Sequence, residues 1–154
     1  MVSRATSRRR RGFTLVEMMI VLVLTVVMAL LVVQLGSHWS DNARLTRVQA
    51  QLQHAYDSTK SAALQNPLAS TRGESAATLC LLDGAFAVVL GDDCAAHAVW
   101  SFAYDAVVGV SLADPDSRCI TLDSAGVAIA AADCSTDLRF SITTGSAHVE
   151  NKSF

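Results

Sequence analysis

Residues 1–12 contain no acidic side chain, and from Phe13 to Leu35 the only ionisable side chain is Glu17. The first absence makes residues 1–12 purely basic: Arg4, Arg8, Arg9, Arg10 and Arg11 all lie there. The second leaves a run of 23 residues whose other polar groups are Thr14, Thr25 and Gln34. Further along, no C-x-x-C pair occurs among the four cysteines, and no histidine stands at zinc-finger spacing from them, which argues against a structural zinc site. Gly-x-Ser-x-Gly, P-loop and HExxH motifs are all missing, so no catalytic constellation is visible. Nor is there a Gly-rich or Pro-rich linker beyond residue 78 to divide that region into two domains.

What is present is strongly uneven in charge. The whole chain carries 12 Lys+Arg and 14 Asp+Glu. Without the five arginines of residues 1–12, 12 − 5 = 7 basic groups face 14 acidic ones, a body near −7. Such a body is a poor partner for nucleic-acid phosphates, which demand clustered Lys and Arg. Only Arg139 and Lys152 are basic after Arg118, and Lys152 is expected near a flexible chain end.

The apolar run is long enough to cross a bilayer, since about 20 helical residues span a hydrocarbon core of roughly 30 Å. Arginines just ahead of it predict a cytoplasmic N-terminus, with the remainder of the chain on the far side. Cys80, Cys94, Cys119 and Cys134 all follow the run, and an even number in an exported domain favours disulfides over free thiols or a metal. Four cysteines allow three pairings. Closeness in sequence selects Cys80–Cys94 and Cys119–Cys134, each bracketing a hairpin or loop that closes locally during folding.

Beyond Gly36-Ser37 a helical period sets in: Leu45, Val48, Leu52, Ala55, Thr59 and Ala62 recur at spacings of three and four, with polar residues between them. This amphipathic helix is expected to stop near Asn66-Pro67, because the residue before proline disfavours the α conformation. Residues 68–77 read as a loop. Strands are predicted at about 78–82, 85–90, 98–104, 106–112, 118–122, 126–130, 138–143 and 146–150, forming one antiparallel sheet packed on the amphipathic helix. Turn residues Asp123-Ser124-Ala125-Gly126 and Thr144-Gly145 mark two hairpins. The fold class is therefore α+β: a long N-terminal helix, half apolar all round and half amphipathic, on a small antiparallel β-sheet domain. The divisions expected are a leader at 1–12, a transmembrane helix half at 13–35, an amphipathic half at 36–66 and an extracytoplasmic β-domain at 67–154.

An unpaired glutamate at the start of a membrane helix is costly and functional by default. Cleavage after Gly12 creates a positive α-amino group at Phe13, four residues from Glu17, and neighbouring subunits offer others. The segment Arg8-Arg9-Arg10-Arg11-Gly12-Phe13-Thr14-Leu15-Val16-Glu17-Met18 resembles the class III signal of type IV pilins and type II secretion pseudopilins. The resemblance implies a membrane aspartyl peptidase, the prepilin peptidase, that cuts between Gly12 and Phe13 and methylates the new amine. It also implies that Glu17 serves assembly, that the partners are other pilin or pseudopilin subunits and an inner-membrane assembly platform, and that no cofactor is needed. Many major pilins have a proline where this chain has Gln34, so any local melting is placed at Gly36-Ser37.

Two short stretches, residues 48–67 and residues 140–149, are similar to the H-type minor pseudopilins and their minor-pilin relatives. A major pilin is the alternative, to which a Cys119–Cys134 loop would suit the C-terminal disulfide region. A pilus-tip module for adhesion or DNA uptake is the reading from another class; an exposed basic patch would favour it. An ordinary signal peptide or uncleaved anchor lacks support, since no A-x-A site closes the apolar run. His38, His54, His97 and His148 are scattered and read as surface or core residues. Asp92, Asp93, Asp114 and Asp116 are weak calcium candidates by their oxygen ligands, against the plainer reading of solvated acidic loops.

Overall fold

The computed structural model describes residues 14–131 and 133–154. The leader, Gly12 and Phe13 lie outside the described residues. The chain divides into two compact units, Met1–Ser37 and His38–Phe154.

In the first unit the described residues belong to the start of helix α1 (Leu15–Gln65). Leu15–Val32 is long and apolar enough to cross a membrane, and none of it is buried against the protein. With apolar side chains on every face, such a stretch is at home in lipid or among like helices rather than in water. Helical hydrogen bonding continues through Gly36 and Ser37, where loosening had the best chance. Glycine weakens a helix without breaking it.

The second unit holds the rest of α1 and eight strands. The apolar stripe legible in the sequence is the face that α1 buries: Leu45, Val48, Leu52, Ala55 and Thr59 are all buried, followed by Ala63. Thr59 satisfies its hydroxyl on the carbonyl of Ala55, at 2.8 Å, and so sits in the stripe without an orphaned polar group. At the helix end Asn66 takes a positive φ of 46°, and its side chain both accepts from the Ser70 N–H and donates to the Ser70 carbonyl. Asparagine tolerates this conformation and can bond locally, which suits it to stop a helix.

The strands are β1 (Ala77–Leu82), β2 (Ala85–Leu90), β3 (Ala98–Ala103), β4 (Val108–Leu112), β5 (Cys119–Leu122), β6 (Ala128–Ile129), β7 (Arg139–Thr144) and β8 (Ala147–Ser153). They form two antiparallel sheets instead of the single one expected. One has the order β3-β2-β1-β5-β6, the other β4-β7-β8. The chain first changes sheet between β3 and β4, returns to the first sheet for β5 and β6, and ends in the second with β7 and β8. Asp105 turns the chain at the first change, accepting the Val107 N–H on its carboxylate and the Val108 N–H on its carbonyl. That turn delays β4 to Val108, later than the expected start at 106, and β4 pairs with β7 rather than with β3.

Both sheets contribute to one core against α1, with Leu79, Phe86, Val88 and Ile120 from the first and Phe140 and Ile142 from the second. Strand β1 does not alternate; five of its six residues are buried. Its α1-facing side chains join the main core, whereas Cys80 packs with Ala87 and Val89 in a second, smaller cluster under Cys94 and Ala98. On the same outer face Thr78 and Thr121 share a hydroxyl–hydroxyl hydrogen bond of 2.9 Å, and the Thr78 hydroxyl lies 2.6 Å from the Gly91 carbonyl. The segment between β2 and β3 thus roofs the outer face of the first sheet.

The expected flexible end is overturned. Strand β8 runs to Ser153, and Lys152 pairs with Phe140 across the second sheet. Phe154 then donates its N–H to the Leu138 carbonyl and stacks on Tyr56 of α1, ring centroids 4.7 Å apart, with Phe140 at the same distance. Burying an aromatic side chain is strongly favourable and orders what would otherwise be a frayed terminus.

Candidate functional site

The N-terminal end of α1 starts at Thr14. Its hydroxyl accepts the N–H of Glu17 at 3.2 Å, and its carbonyl accepts the N–H of Met18. Thr14 is thus the N-cap, and Thr14-Leu15-Val16-Glu17 has the Ser/Thr-x-x-Glu spacing of a capping box. Glu17 lies in the first helical turn, where a carboxylate also complements the helix dipole. Its side chain is exposed, as is every residue from Leu15 to Val32. The acid is therefore open to a partner outside the chain, on a helix that is otherwise apolar over this stretch.

Gly12 and Phe13, expected as the processing pair, lie outside the described residues. The cysteines form Cys80–Cys94 and Cys119–Cys134, with Cα separations of 5.8 and 4.5 Å. Both bonds lie in the β-bearing unit, far along the chain from Glu17, and they hold loops against the first sheet. Cys80–Cys94 pins the roof over its outer face. Cys119–Cys134 ties the segment after β6 to β5, reinforced by the Ser135 N–H on the Cys119 carbonyl at 2.8 Å.

The four aspartates considered for calcium remain in their own loops. Asp93 accepts the Ala95 N–H at 2.8 Å, and Asp114 accepts the Asp116 N–H and the Ser117 hydroxyl. Asp92 and Asp116 are exposed. Among the described residues no group of three or more His, Cys, Asp or Glu converges as metal ligands would.

A cleft of about 410 Å³ lies beside the β1–β2 turn, lined in part by Asp83, Tyr104, Ser111 and Arg118. Arg118 and Asp83 form an ion pair of 2.9 Å whose side chains are largely in solvent, so it contributes little. Burial, aided by the nearby Asp83 charge, pushes the Tyr104 phenol above its usual range and keeps it protonated. The lining offers hydrogen bonds but no nucleophile paired with a base.

Three residues that organise the described structure, one in the first unit and two in the second, were missed in the sequence as individuals. Thr14 is one. Asp123, only 4 % exposed, is another. Its Oδ1 accepts the N–H groups of Ala125 and Val127, and its Oδ2 that of Gly73, 50 residues away in sequence. Those bonds, that to Val127 foremost, then Ala125 and Gly73, hold its carboxyl below the usual range against the opposing effect of burial, with Arg72 assisting. Asp41 is the third: its carboxylate accepts the N–H and the hydroxyl of Ser146, each at 3.4 Å, joining α1 to the β7–β8 turn. Gly145 in that turn has φ 51°, and a Cβ there would run into the Asp41 carboxylate. Among these, the Thr-x-x-Glu spacing and the turn at Asp123 carried a local signal that a sequence can show, whereas the Asp123 bond to Gly73 and the Asp41 contact with Ser146 did not.

Comparison with known families finds one match: the prokaryotic N-terminal methylation motif, over residues 7–33. The match covers the arginine cluster, the Gly12-Phe13 pair, the Thr14 cap, Glu17 and the apolar helix, so the chain carries the class III signal of the type IV pilin class. No curated protein and no solved structure matches the chain. The motif, together with an α+β body held by two disulfides, supports a type IV pilin-like reading and points to a structural subunit.

Proposed function

We propose that this chain is a minor pseudopilin or minor pilin, a structural subunit of a type II secretion pseudopilus or a type IV pilus. The prepilin peptidase cuts between Gly12 and Phe13 and methylates Phe13. Residues 13–35 hold the subunit in the bacterial inner membrane in a single pass, N-terminus cytoplasmic and β-domain periplasmic, until the assembly platform moves it into a filament, where it becomes extracellular if the filament is a pilus. In the filament Glu17 pairs with the N-terminal amine of a neighbouring subunit.

The observation that carries this reading is the methylation motif lying on a helix that is exposed from Leu15 to Val32 and apolar there apart from Thr25 and one acid. A desolvated carboxylate needs a cation, and the new α-amino group supplies one where no arginine or lysine remains. Intact-mass analysis of membrane-extracted protein tests the reading. The expected N-terminus is methylated Phe13. An N-terminus at Met1, or beyond Leu35, would falsify it.

A major pilin is the second reading, favoured by the Cys119–Cys134 bond near the end of the chain. Nucleic acid is not an expected partner. Besides the acidic total, Arg118 and Arg139 are engaged by Asp83 and Asp137, which removes both from any basic patch.

A further inference from the structure

Trp39 is 80 % exposed, more than any other large hydrophobic side chain described. It follows the apolar run by four residues and precedes by two the first helix residue engaged by the β-domain, Asp41 with its hydrogen bonds to Ser146. The next buried core residue is Leu45. Past it, Arg44 and Arg47 are exposed and take part in no ion pair among the described residues, so the helix is in water there. Trp39 therefore stands between a stretch suited to hydrocarbon and one suited to water.

That interval matches one environment. Four residues add about 6 Å as α-helix and at most roughly 14 Å fully extended. The polar layer on each side of a bilayer is about 5–8 Å thick, the difference between a total of roughly 40–45 Å and a core of about 30 Å. An indole, apolar in body with one N–H donor, concentrates at that layer. We propose that Trp39 is the membrane-interface anchor on the periplasmic side, its ring lodged at the level of the phospholipid headgroups and glycerol backbone while the subunit waits in the bilayer. The inference rests on the reading of residues 13–35 as a membrane anchor. A water-exposed Trp39 and a Trp39 sunk in hydrocarbon are the competing placements.

The chain has two tryptophans, so Trp100→Phe leaves Trp39 as the sole indole. The full chain carrying that change is reconstituted into phosphatidylethanolamine–phosphatidylglycerol vesicles with bromine placed near the glycerol end or near the methyl end of the acyl chains. The expected result is co-flotation with vesicles, severalfold stronger quenching by the shallow bromine, and weak quenching by iodide. Equal or stronger quenching by the deep bromine, or strong quenching by iodide with none by lipid bromine, overturns the interface placement while leaving the anchor intact. Failure to float overturns the anchor reading and this inference with it. Should Trp100→Phe disturb the sheet, the difference between the native chain and Trp39→Phe isolates the same signal.

Discussion

Cys80 and Cys119 are register partners on the adjacent strands β1 and β5, yet each is bonded elsewhere, to Cys94 and Cys134. Directly opposed residues of an antiparallel pair point to the same face at Cα separations of roughly 4.5–5.5 Å, within the range that a disulfide accepts. The native pairing therefore has a specific rival, Cys80–Cys119, created by the sheet itself. Cys94→Ser should free the Cys80 thiolate beside the Cys119–Cys134 bond and produce exchange, with Cys80–Cys119 as the new peptide in non-reducing mapping. An unscrambled Cys119–Cys134 bond in that variant would contradict the expectation. Removal of either native bond, each closing about 15 residues, should cost roughly 3 kcal/mol of stability in the chain-entropy model.

Asp123 predicts the direction of pH sensitivity. Its carboxyl is held below its ordinary value by the Val127, Ala125 and Gly73 N–H groups. A depressed native value means that the stabilisation is complete above the unfolded value of about 3.9 and is lost as pH falls through the lower native value. Denaturant unfolding should be flat in this contribution from neutral pH down to about 4 and should weaken below that. Asp123→Asn should be less stable than the native chain at neutral pH, and the two should converge in acid. Parallel curves would assign the acid loss to other carboxyls, among them Asp137, whose value Arg139 lowers.

Two buried threonines should respond oppositely to loss of the hydroxyl. Thr144 is 1 % exposed and its Oγ1 has no hydrogen-bond partner among the described residues. Thr144→Val should leave stability unchanged or raise it by up to about 1–3 kcal/mol, the desolvation penalty of an orphaned group. Thr78, bonded to Gly91 and Thr121, should lose about 1 kcal/mol or more as valine, because Thr121 would then lose a partner. Thermal denaturation of the two variants side by side checks both signs.

Glu17 has a local role and a proposed intermolecular one, and two substitutions separate them. Thr14→Val removes the acceptor for the Glu17 N–H and should weaken the helix start by about 0.5–2 kcal/mol while leaving the acid in place. Glu17→Ala keeps that N–H but deletes the carboxylate. We expect Thr14→Val to enter filaments nearly as the native chain does, and Glu17→Ala to be processed and inserted but to assemble poorly. Counting each variant in sheared filaments beside native subunits is the measurement. Equal incorporation of both would reduce Glu17 to a helix-start residue.

A chain beginning at Ser37 should be soluble, folded and monomeric, because it retains Leu45, Val48 and Leu52 to cover the sheets and omits the exposed apolar stretch. Each fully buried side chain of that size is worth about 1.5–3 kcal/mol, and in the whole mature chain only lipid or like helices can hide so many. Light scattering and circular dichroism on the shortened chain decide it; an obligate oligomer or a molten product would place the division elsewhere.

The signal segment was legible because its chemistry is contiguous: a cap, an acid and an apolar run adjoin one another in the sequence. The buried face of α1 was legible for a similar reason, since helical period reports burial directly. Strand positions were also close to those found, although the Asp83-Gly84 dipeptide, which joins β1 to β2, went unused as a hairpin mark. Pairing was not legible. Alternation in residues 106–112 gives no hint that their partner is β7 rather than β3, nor that the chain returns to the first sheet at β5. Asp123 was hidden for the same reason: its turn is visible, but Gly73 reaches it only once the chain has folded. Lys152 looked like part of a tail because hydrophobic pattern is uninformative over the last few residues, where one aromatic side chain, Phe154, sets the outcome.

The contact between Tyr56 and Phe154 also fixes an order of events in time. Tyr56 is synthesised 98 residues ahead of the side chain that covers it (154 − 56 = 98). Throughout that interval the helix face around Tyr56 has no lid, and this part of the core closes only when Phe154 reaches it. Folding of this face is thereby coupled to a late step of synthesis: a chain not yet extended to Phe154 displays the aromatic face to chaperones and proteases, whereas one that has reached Phe154 withdraws it.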